Sequence, residues 1–454
     1  MKQIFIEIFA GECKIVSNKT HQRLWIILLT GINLMWFSCR GTPNTDSAAR
    51  EIKRPLLKNL KDLRAAREKA KHRRRRIIMN NDGNDFRMLH QENLKHPEKF
   101  LQRRTIGLEN SQVDSIFYCT GVFNQYTNPM DECEIRVVPR YYKPELMQLL
   151  KQWNIDSLKI MIDFCRRHDK EIFWSMRMND THDSSPKLRD QFSQWKRDHL
   201  KYLVCPEKER TQMKYGARRW SAVDYNIPEV RDKVYRIFTE ICHRYDVDGI
   251  ELDFFRHLII FKEQINGIPI TQTQCDKFTE MLRRIRRMTE REGLRRGKPM
   301  LIAVRVPDSV GYCRALGLDL EQWLKDGLID IVTGGGYFKL EPWKNLVALG
   351  KTYDVPVYAC LVKRRIESEA IVLGNSSKVK IWRGEAYKAW QAGVDGIYTF
   401  NIFDPKDAVF YELGDLELLK RLDRIDQTFY INENLGASRP ETWLKDGRKY
   451  LQQN

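Results

Sequence analysis

Asp248-Gly249-Ile250-Glu251-Leu252-Asp253-Phe254, continuing into Phe255-Arg256-His257, is the stretch from which the fold can be worked out. Ile250, Leu252 and Phe254 read as one face of a short β-strand, and strand periodicity puts Glu251 and Asp253 together on the other. Amphipathic helical stretches flank it, Pro228 to Tyr245 before and Thr273 to Glu292 after. A strand between two helices pairs in parallel with its neighbours, because a crossover long enough to hold a helix returns the chain in the same direction.

The same unit repeats along the chain. Eight short apolar runs recur: Ile77 to Met79, Ser115 to Cys119, Ile172 to Met176, Gly249 to Phe254, Met300 to Val304, Leu328 to Val332, Val355 to Val362 and Gly396 to Phe400. Further helical patterns between them include Pro144 to His168, Asp319 to Asp326 and Gly384 to Ala392. Eight β/α repeats predict an α/β protein, the (β/α)8 barrel of the TIM type. An open doubly wound sheet would offer a glycine-rich turn after its first strand. Here the first run leads into Asn80-Asn81-Asp82-Gly83, and the chain has no GxGxxG. Pro356 is tolerable only near the start of the seventh strand. The expected barrel spans 76–425, with a linker and basic helix over 40–75 before it and a tail without core pattern over 426–454 after it.

Polar residues gather after nearly every run, at the strand ends that form the active face of barrel enzymes. Two carboxyls inside an apolar strand are costly unless paired or used. Glu251 and Asp253 could brace the barrel through salt bridges. They could also split their protonation, giving one acid and one carboxylate as glycosidic cleavage requires. Asp253, nearer the strand exit, is then the expected reacting group and Glu251 the orienting one, with Arg256 and His257 as counter-charges. After the third run, Arg177, Asn179, Asp180, His182 and Asp183 suggest a further catalytic acid in Asp180 and substrate contacts from its neighbours. Asp180-x-His182 could act as acid and base or bind a metal, and a loop stitched by its own Asn and Asp bonds is the structural alternative. Asn80 and Asp82 suit hydroxyl recognition or a turn; Arg305 and Asp308 suit a buried ion pair or a substrate clamp. Tyr337, Asn401 and Asp404 complete the expected ring of substrate-binding groups, Asp404 being a reserve second carboxylate. The seventh run ends in Val362-Lys363-Arg364, with no carboxylate before Glu367, which favours a distant second acid and an inverting reaction. Tyr118, Phe123, Tyr126, Trp220, Tyr225, Phe255, Tyr337, Phe338 and Phe403 are expected to supply platforms for sugar rings.

Asp248 to Phe255 resembles the DGxDxDxE signature of family 18 chitinases, with Asp248, Glu251 and Asp253 matching its acids and Phe255 standing where that family has its catalytic Glu. A closer resemblance is to the family-10-like glycoside hydrolase barrels of exported bacterial proteins. It rests on Arg177 to Asp183, Asp248 to His257, Arg305-Val306-Pro307-Asp308, Gly396-Ile397-Tyr398 and Phe400-Asn401, and covers about Arg75 to Asp404. The resemblance implies the barrel and, more loosely, hydrolysis of a glycan. A non-catalytic carbohydrate-binding barrel and a metal-dependent hydrolase or lyase are the alternatives; no cofactor is expected and no metal site is assigned.

The formal charge of +18 is unevenly spread, for Lys53 to Arg76 carries twelve Lys or Arg against Asp62 and Glu68. Leu56, Leu57, Leu60 and Leu63 make this stretch a helix with one apolar stripe. No aromatic residue is interleaved, so the stacking element of single-strand nucleic-acid binding is missing. The ten cysteines show no CxxC and no zinc spacing, and those in apolar runs, Cys119, Cys165, Cys242 and Cys360, are expected to be buried thiols. Over 1–39, Lys19 and Arg23 precede an apolar run from Leu24 that reaches Ser38-Cys39, the pattern of an export segment with a lipidation site at Cys39. The expected location is therefore outside the cytoplasm, periplasmic or membrane-anchored, with the membrane met only through a lipid.

Overall fold

The computed structural model describes residues 59–88, 95–135, 154–372, 378–426, 430–434 and 436–452, together with Gln152 and two short strands near the N-terminus. The chain divides into two units, Met1–Lys53 and Arg54–Asn454. Of the first, the antiparallel pair Ile6–Phe9 and Glu12–Ile15 is described; Cys39 and the linker lie outside the described residues.

The second unit is a closed barrel of eight parallel strands. They are β1 (Ile77–Asn81), β2 (Val113–Tyr118), β3 (Glu171–Arg177), β4 (Gly249–Asp253), β5 (Leu301–Val306), β6 (Ile331–Gly334), β7 (Val357–Val362) and β8 (Gly396–Phe400). Each pairs with the next, and β8 closes on β1 through Ile397 and Ile77. Pro356 stands just outside β7, where it costs no ladder bond and its carbonyl accepts from Val332 N–H. Helices Ser157–Arg167, Pro228–Arg244, Gln272–Arg296, Trp343–Thr352 and Lys378–Gln391 cover the outside. Cys119, Cys165, Cys242 and Cys360 are buried free thiols.

Inward side chains fill the barrel in layers. At the N-terminal end Arg75 reaches across to Glu171, with Ser115 on the same carboxylate. Ile78, Phe117, Phe173, Leu301, Ala303, Ile331 and Tyr398 form the apolar middle, where Phe117 stacks on Phe173 at 4.3 Å. Gly249 opens β4 because a Cβ there would strike the Phe173 ring. Asp248, at this same end, pairs with Arg166 at 2.8 Å and with Lys298, and accepts from Ile172 N–H. It is a strand staple remote from the mouth, not the third acid its place in the chitinase-like signature suggested.

The basic helix is Leu60–Lys71, capped by Asn59 accepting from Asp62 N–H at 3.0 Å. It docks on the barrel: Leu63 is buried, Arg64 pairs with Glu290 at 2.8 Å and Arg67 with Asp330 at 3.4 Å. The tail also belongs to the packed unit. Trp443 is buried and its carbonyl accepts from Gln264, Tyr312 donates to the Pro440 carbonyl, and Gln452 N–H donates to Leu340. Isolated anchors and single 3-10 turns leave no periodicity, which is why the sequence looked patternless there.

Candidate functional site

Register builds the floor of the C-terminal mouth. Arg177, Asp253, Arg305 and Thr333 stand side by side on β3, β4, β5 and β6. One layer deeper, Ser175, Glu251 and Ala303 do the same. Asp253 does not present a free carboxylate. Arg305 grips both its oxygens, at 2.9 Å each, and Phe255 N–H donates to Oδ1 at 3.0 Å. Its counter-charge is thus Arg305, not Arg256 or His257, and Arg305 in turn lies 4.0 Å over the Phe400 ring. The expected Arg305–Asp308 pair is absent. Asp308 instead accepts from Leu340 N–H at 2.9 Å and pairs with Lys339 at 3.5 Å, fixing the loop after β6.

Glu251 is fully buried. Ser175 and Tyr398 both donate to its Oε2, the latter at 3.1 Å, while Oε1 has no partner among the described residues. Burial, reinforced by the neighbouring Asp253 charge, pushes its carboxyl up to about 8. The carboxyl is therefore protonated at neutral pH, and Oε2 accepts two hydrogen bonds.

The end of β3 supplies the next group. Arg177 Nη1 donates to Asp180 at 2.9 Å, and Asp180 Oδ1 meets His182 Nδ1 at 2.5 Å. Burial works to raise the Asp180 carboxyl, but His182, Arg177 and His257 outweigh it and hold it well below the usual range. His182 Nε2 lies 2.9 Å from Arg256 Nη2. The Asp180 charge favours the imidazolium of His182, yet burial with Arg256 and Arg177 leaves its pKa lowered. Arg256 also donates to Tyr337 OH. His257 accepts from Thr181 N–H at 3.0 Å and, being buried, is held well below its ordinary pKa. Asp180, His182 and His257 bring possible ligand atoms within 4.8 Å of one another. Each of those residues already serves a hydrogen bond, and Arg256 stands where a cation would be repelled, so the cluster fits a proton network better than a chelate.

From β1, Asp82 pairs with Arg104 and caps Asn84 N–H. Burial would raise it, but Arg104 and Arg177 prevail and hold it at about 2. Asn80 is buried, and neither of its side-chain polar atoms has a partner among the described residues. The charges of Asp82, Asp180 and Asp253 all bear on both Arg177 and Arg256, so these five groups share one mouth.

Other expected residues fall outside it. Asn179 bonds Val223 and Ile259 carbonyls and Val223 N–H, stitching its loop. Asp183 pairs with Lys196 at 2.6 Å. Asn401 is half-buried at φ 64°, and Asp404 is exposed and bonded to Lys406 N–H, which leaves it a turn residue. The expected aromatic platform is not found at the mouth: Tyr118, Phe123, Tyr126, Trp220, Tyr225, Phe255, Tyr337 and Phe338 are buried, and Arg104 covers the half-buried Phe403 at 3.7 Å. Sequence reasoning missed Ser175, Tyr398, Arg104 and Asp85. Ser175 was within reach, because it is in phase with Arg177 on β3. Asp85, bonded by Asn81 and Phe86 N–H and raised by burial to about 6, gave no signal beyond a polar loop.

No protein-family profile matches the chain, and no curated protein matches it. Solved structures resemble it. The glycoside hydrolase domain of PgaB (BpsB) from Bordetella bronchiseptica is 10% identical, with 78% of this chain and 99% of that one covered and a TM-score of 0.46. A glycoside hydrolase family 18 N-acetylglucosaminidase from Paenibacillus barengoltzii is 11% identical over 77% of this chain and 100% of that one, with a TM-score of 0.39. A trimodular GH5_4 subfamily endoglucanase is 13% identical over 78% and 62%, with a TM-score of 0.41. At such distance the likeness carries no argument about chemistry, which rests on the residues of this chain.

Proposed function

We propose that the protein hydrolyses glycosidic bonds of a glycan at the C-terminal mouth of the barrel. What supports this reading is that burial and the Asp253 charge favour a protonated Glu251 while His182 and Arg177 keep Asp180 ionised, with Arg177 and Asp253 side by side in the β3–β4 register between them. Glycosidic cleavage needs one acid and one carboxylate at the same pH. In this reading Glu251 supplies the proton that the leaving glycosidic oxygen takes as the C–O bond breaks, and a bound glycan has to part the Asp253–Arg305 floor to bring that oxygen to the buried Oε1. Asp180 takes a proton from the water that forms the new C–O bond. Asp253 becomes a positioning group: closed on Arg305 in the floor of the mouth, it acts on Glu251 below and favours the protonated form there. The acids come from different β/α units, Glu251 from β4 and Asp180 from the loop after β3, and in this reading the reaction is inverting, with a bound water between them. The export segment and Cys39 lipid attachment belong to the same reading, since a polymeric glycan is met outside the cell; loss of labelled fatty acid in Cys39→Ser would support it.

Glu251→Gln keeps the shape and the hydrogen bonds but cannot donate the proton. On a polysaccharide panel analysed for released sugars, hydrolysis by this variant should fall 10²- to 10⁴-fold, the usual worth of a positioned acid, and Asp180→Asn should fall comparably. Full activity in Glu251→Gln sinks the assignment. A glycan bound but never cleaved by the wild type would favour the second reading, a binding barrel, for which the closure of Asp253 on Arg305 is the supporting observation.

A further inference from the structure

Arg177 is 4% exposed, and among the described residues only its Nη1 has a hydrogen-bond partner; Nε and Nη2 are buried with none. Arg256 Nε is in the same position. The carboxylates of the mouth do not serve these atoms. Asp82 is taken by Arg104, Asp253 by Arg305, and Asp180 by Arg177 Nη1 and His182. Asp85 is engaged by Asn81 and the Phe86 amide. Arg256 has no carboxylate partner among the described residues, contacting Tyr337 and His182 instead. Burial, and next the Arg177 charge, push it down to about 10. A buried guanidinium and a half-buried one therefore act on each other, and the second has Asp180, Asp82 and Asp253 acting on it only from beyond ion-pair distance. The Nε–Nη2 edge of an arginine is a planar fork that matches two oxygens of a carboxylate or sulfate.

We propose that the glycan is acidic, and that a carboxylate or sulfate substituent on its sugar ring is bound by the Nε–Nη2 edge of Arg177 with Arg256 as the second positive charge. The proposal rests on the mouth being a glycan site. A second observation supports a polyanionic chain rather than a single charged sugar. The connection between β3 and Pro228–Arg244 carries a cavity of about 610 Å³ walled by Phe192 and Trp220 and edged by Arg197, Lys201 and Lys208. Those three cations have no carboxylate partner among the described residues. The cavity wall is tied to the mouth loop, since Trp220 Nε1 donates to the Ser184 carbonyl at 3.3 Å and Arg219 to the Thr181 carbonyl at 3.2 Å. Arg197, Lys201 and Lys208 outnumber the one lining carboxylate, Glu207, which pairs with Arg189, so the cavity edge suits the charges of an acidic polysaccharide.

Calorimetric titration of the full chain with two matched pairs tests this: a uronate oligosaccharide against its carboxyl-reduced form, and a sulfated oligosaccharide against its desulfated form. At least one acidic member should bind tenfold or more tightly than its neutral counterpart, and which one does so identifies the substituent. In Arg177→Met that preference should vanish, and in Arg177→Lys, which keeps the charge without the fork, it should be reduced. Arg256→Met gives the same reading should the first variant misfold. Equal binding of acidic and neutral members in the wild type, or a preference that survives both Arg177→Met and Arg256→Met, overturns the proposal. Cleavage of neutral glycans without acid preference would overturn it while leaving the hydrolase reading intact. Acid-selective binding with no cleavage of any glycan would do the reverse.

Discussion

A buried arginine closes each end of the barrel interior, and the two are treated differently. At the N-terminal end Arg75 gives Nε and Nη2 to the two Glu171 oxygens at 2.6 and 2.9 Å, and its remaining donors reach the Lys71, Arg73 and Ala70 carbonyls at 2.9 to 3.0 Å. Every guanidinium nitrogen is used. At the C-terminal end Arg177 is as deeply buried in practice, yet two of its three nitrogens have no partner among the described residues. Burial alone therefore does not separate a structural charge from a functional one. Saturation does: a buried donor left unmade costs roughly 1–3 kcal/mol, and a fold tolerates that where a ligand completes the bond.

The strongest way to break the contrast is to cut the saturated end. Arg75→Met leaves Glu171 buried without its partner, and breaking a buried pair from one side costs about 3–5 kcal/mol. Urea unfolding should show that loss, whereas hydrolysis per folded molecule should be unchanged. Arg177→Met removes two unmade donors along with the Nη1–Asp180 bond, and Asp180 keeps His182, so its loss of stability should be smaller than that of Arg75→Met, with binding lost as well. Equal destabilisation by the two changes would make Arg177 a second structural plug.

The acid beneath the mouth sharpens the comparison through pH. Glu251 titrates near 4.5 ordinarily and is pushed up to about 8 in the fold. Between those values the folded chain keeps a proton that the unfolded chain has released. Stability from this group is therefore full below about 4.5, falls as pH rises and levels off above about 8, by at most about 1.4 kcal/mol per pH unit. Asp82, depressed from 3.8 to about 2, has the opposite sign: its contribution is full above 3.8 and is lost as pH falls through 2. Thermal unfolding at pH 5, 6.5 and 8 should show Glu251→Gln gaining on the wild type as pH rises. Parallel profiles would mean that Glu251 titrates like an exposed acid and cannot hold the proton the mechanism needs.

These ends were not equally readable in the sequence. The eight strands and their parallel order were, because period-2 runs between helical stretches admit one economical closure. The same periodicity put Glu251 and Asp253 on one face, and the β4–β5 register then set Arg305 opposite Asp253. That register was not readable. Pairing Arg305 with Asp308, three residues away, was the local guess, and the true partner lies 52 positions back. The aromatic platforms failed for a related reason: a residue after a strand can turn outward under a helix or inward to the mouth, and sequence distance from the strand does not say which. Arg75 hid inside a charge run, where its neighbours Arg73 and Arg74 are exposed and it is not.

That charge run gives the finest test of the contrast. Leu60–Lys71 packs on the barrel through Leu63, and Arg64 reaches Glu290 with its side chain 55% exposed. An exposed pair of this kind is worth about 0.2–1 kcal/mol and weakens with salt. Arg64→Ala should therefore lower stability by less than about 1 kcal/mol at low ionic strength and by nothing measurable in 0.5 M salt. The helix would then be held by Leu63 and by the carbonyls it lends to Arg75, with its surface cations incidental to folding. A larger, salt-resistant loss would mean that the cations themselves seat the helix, and that the saturated end of the barrel depends on charges its exposed face shares with solvent.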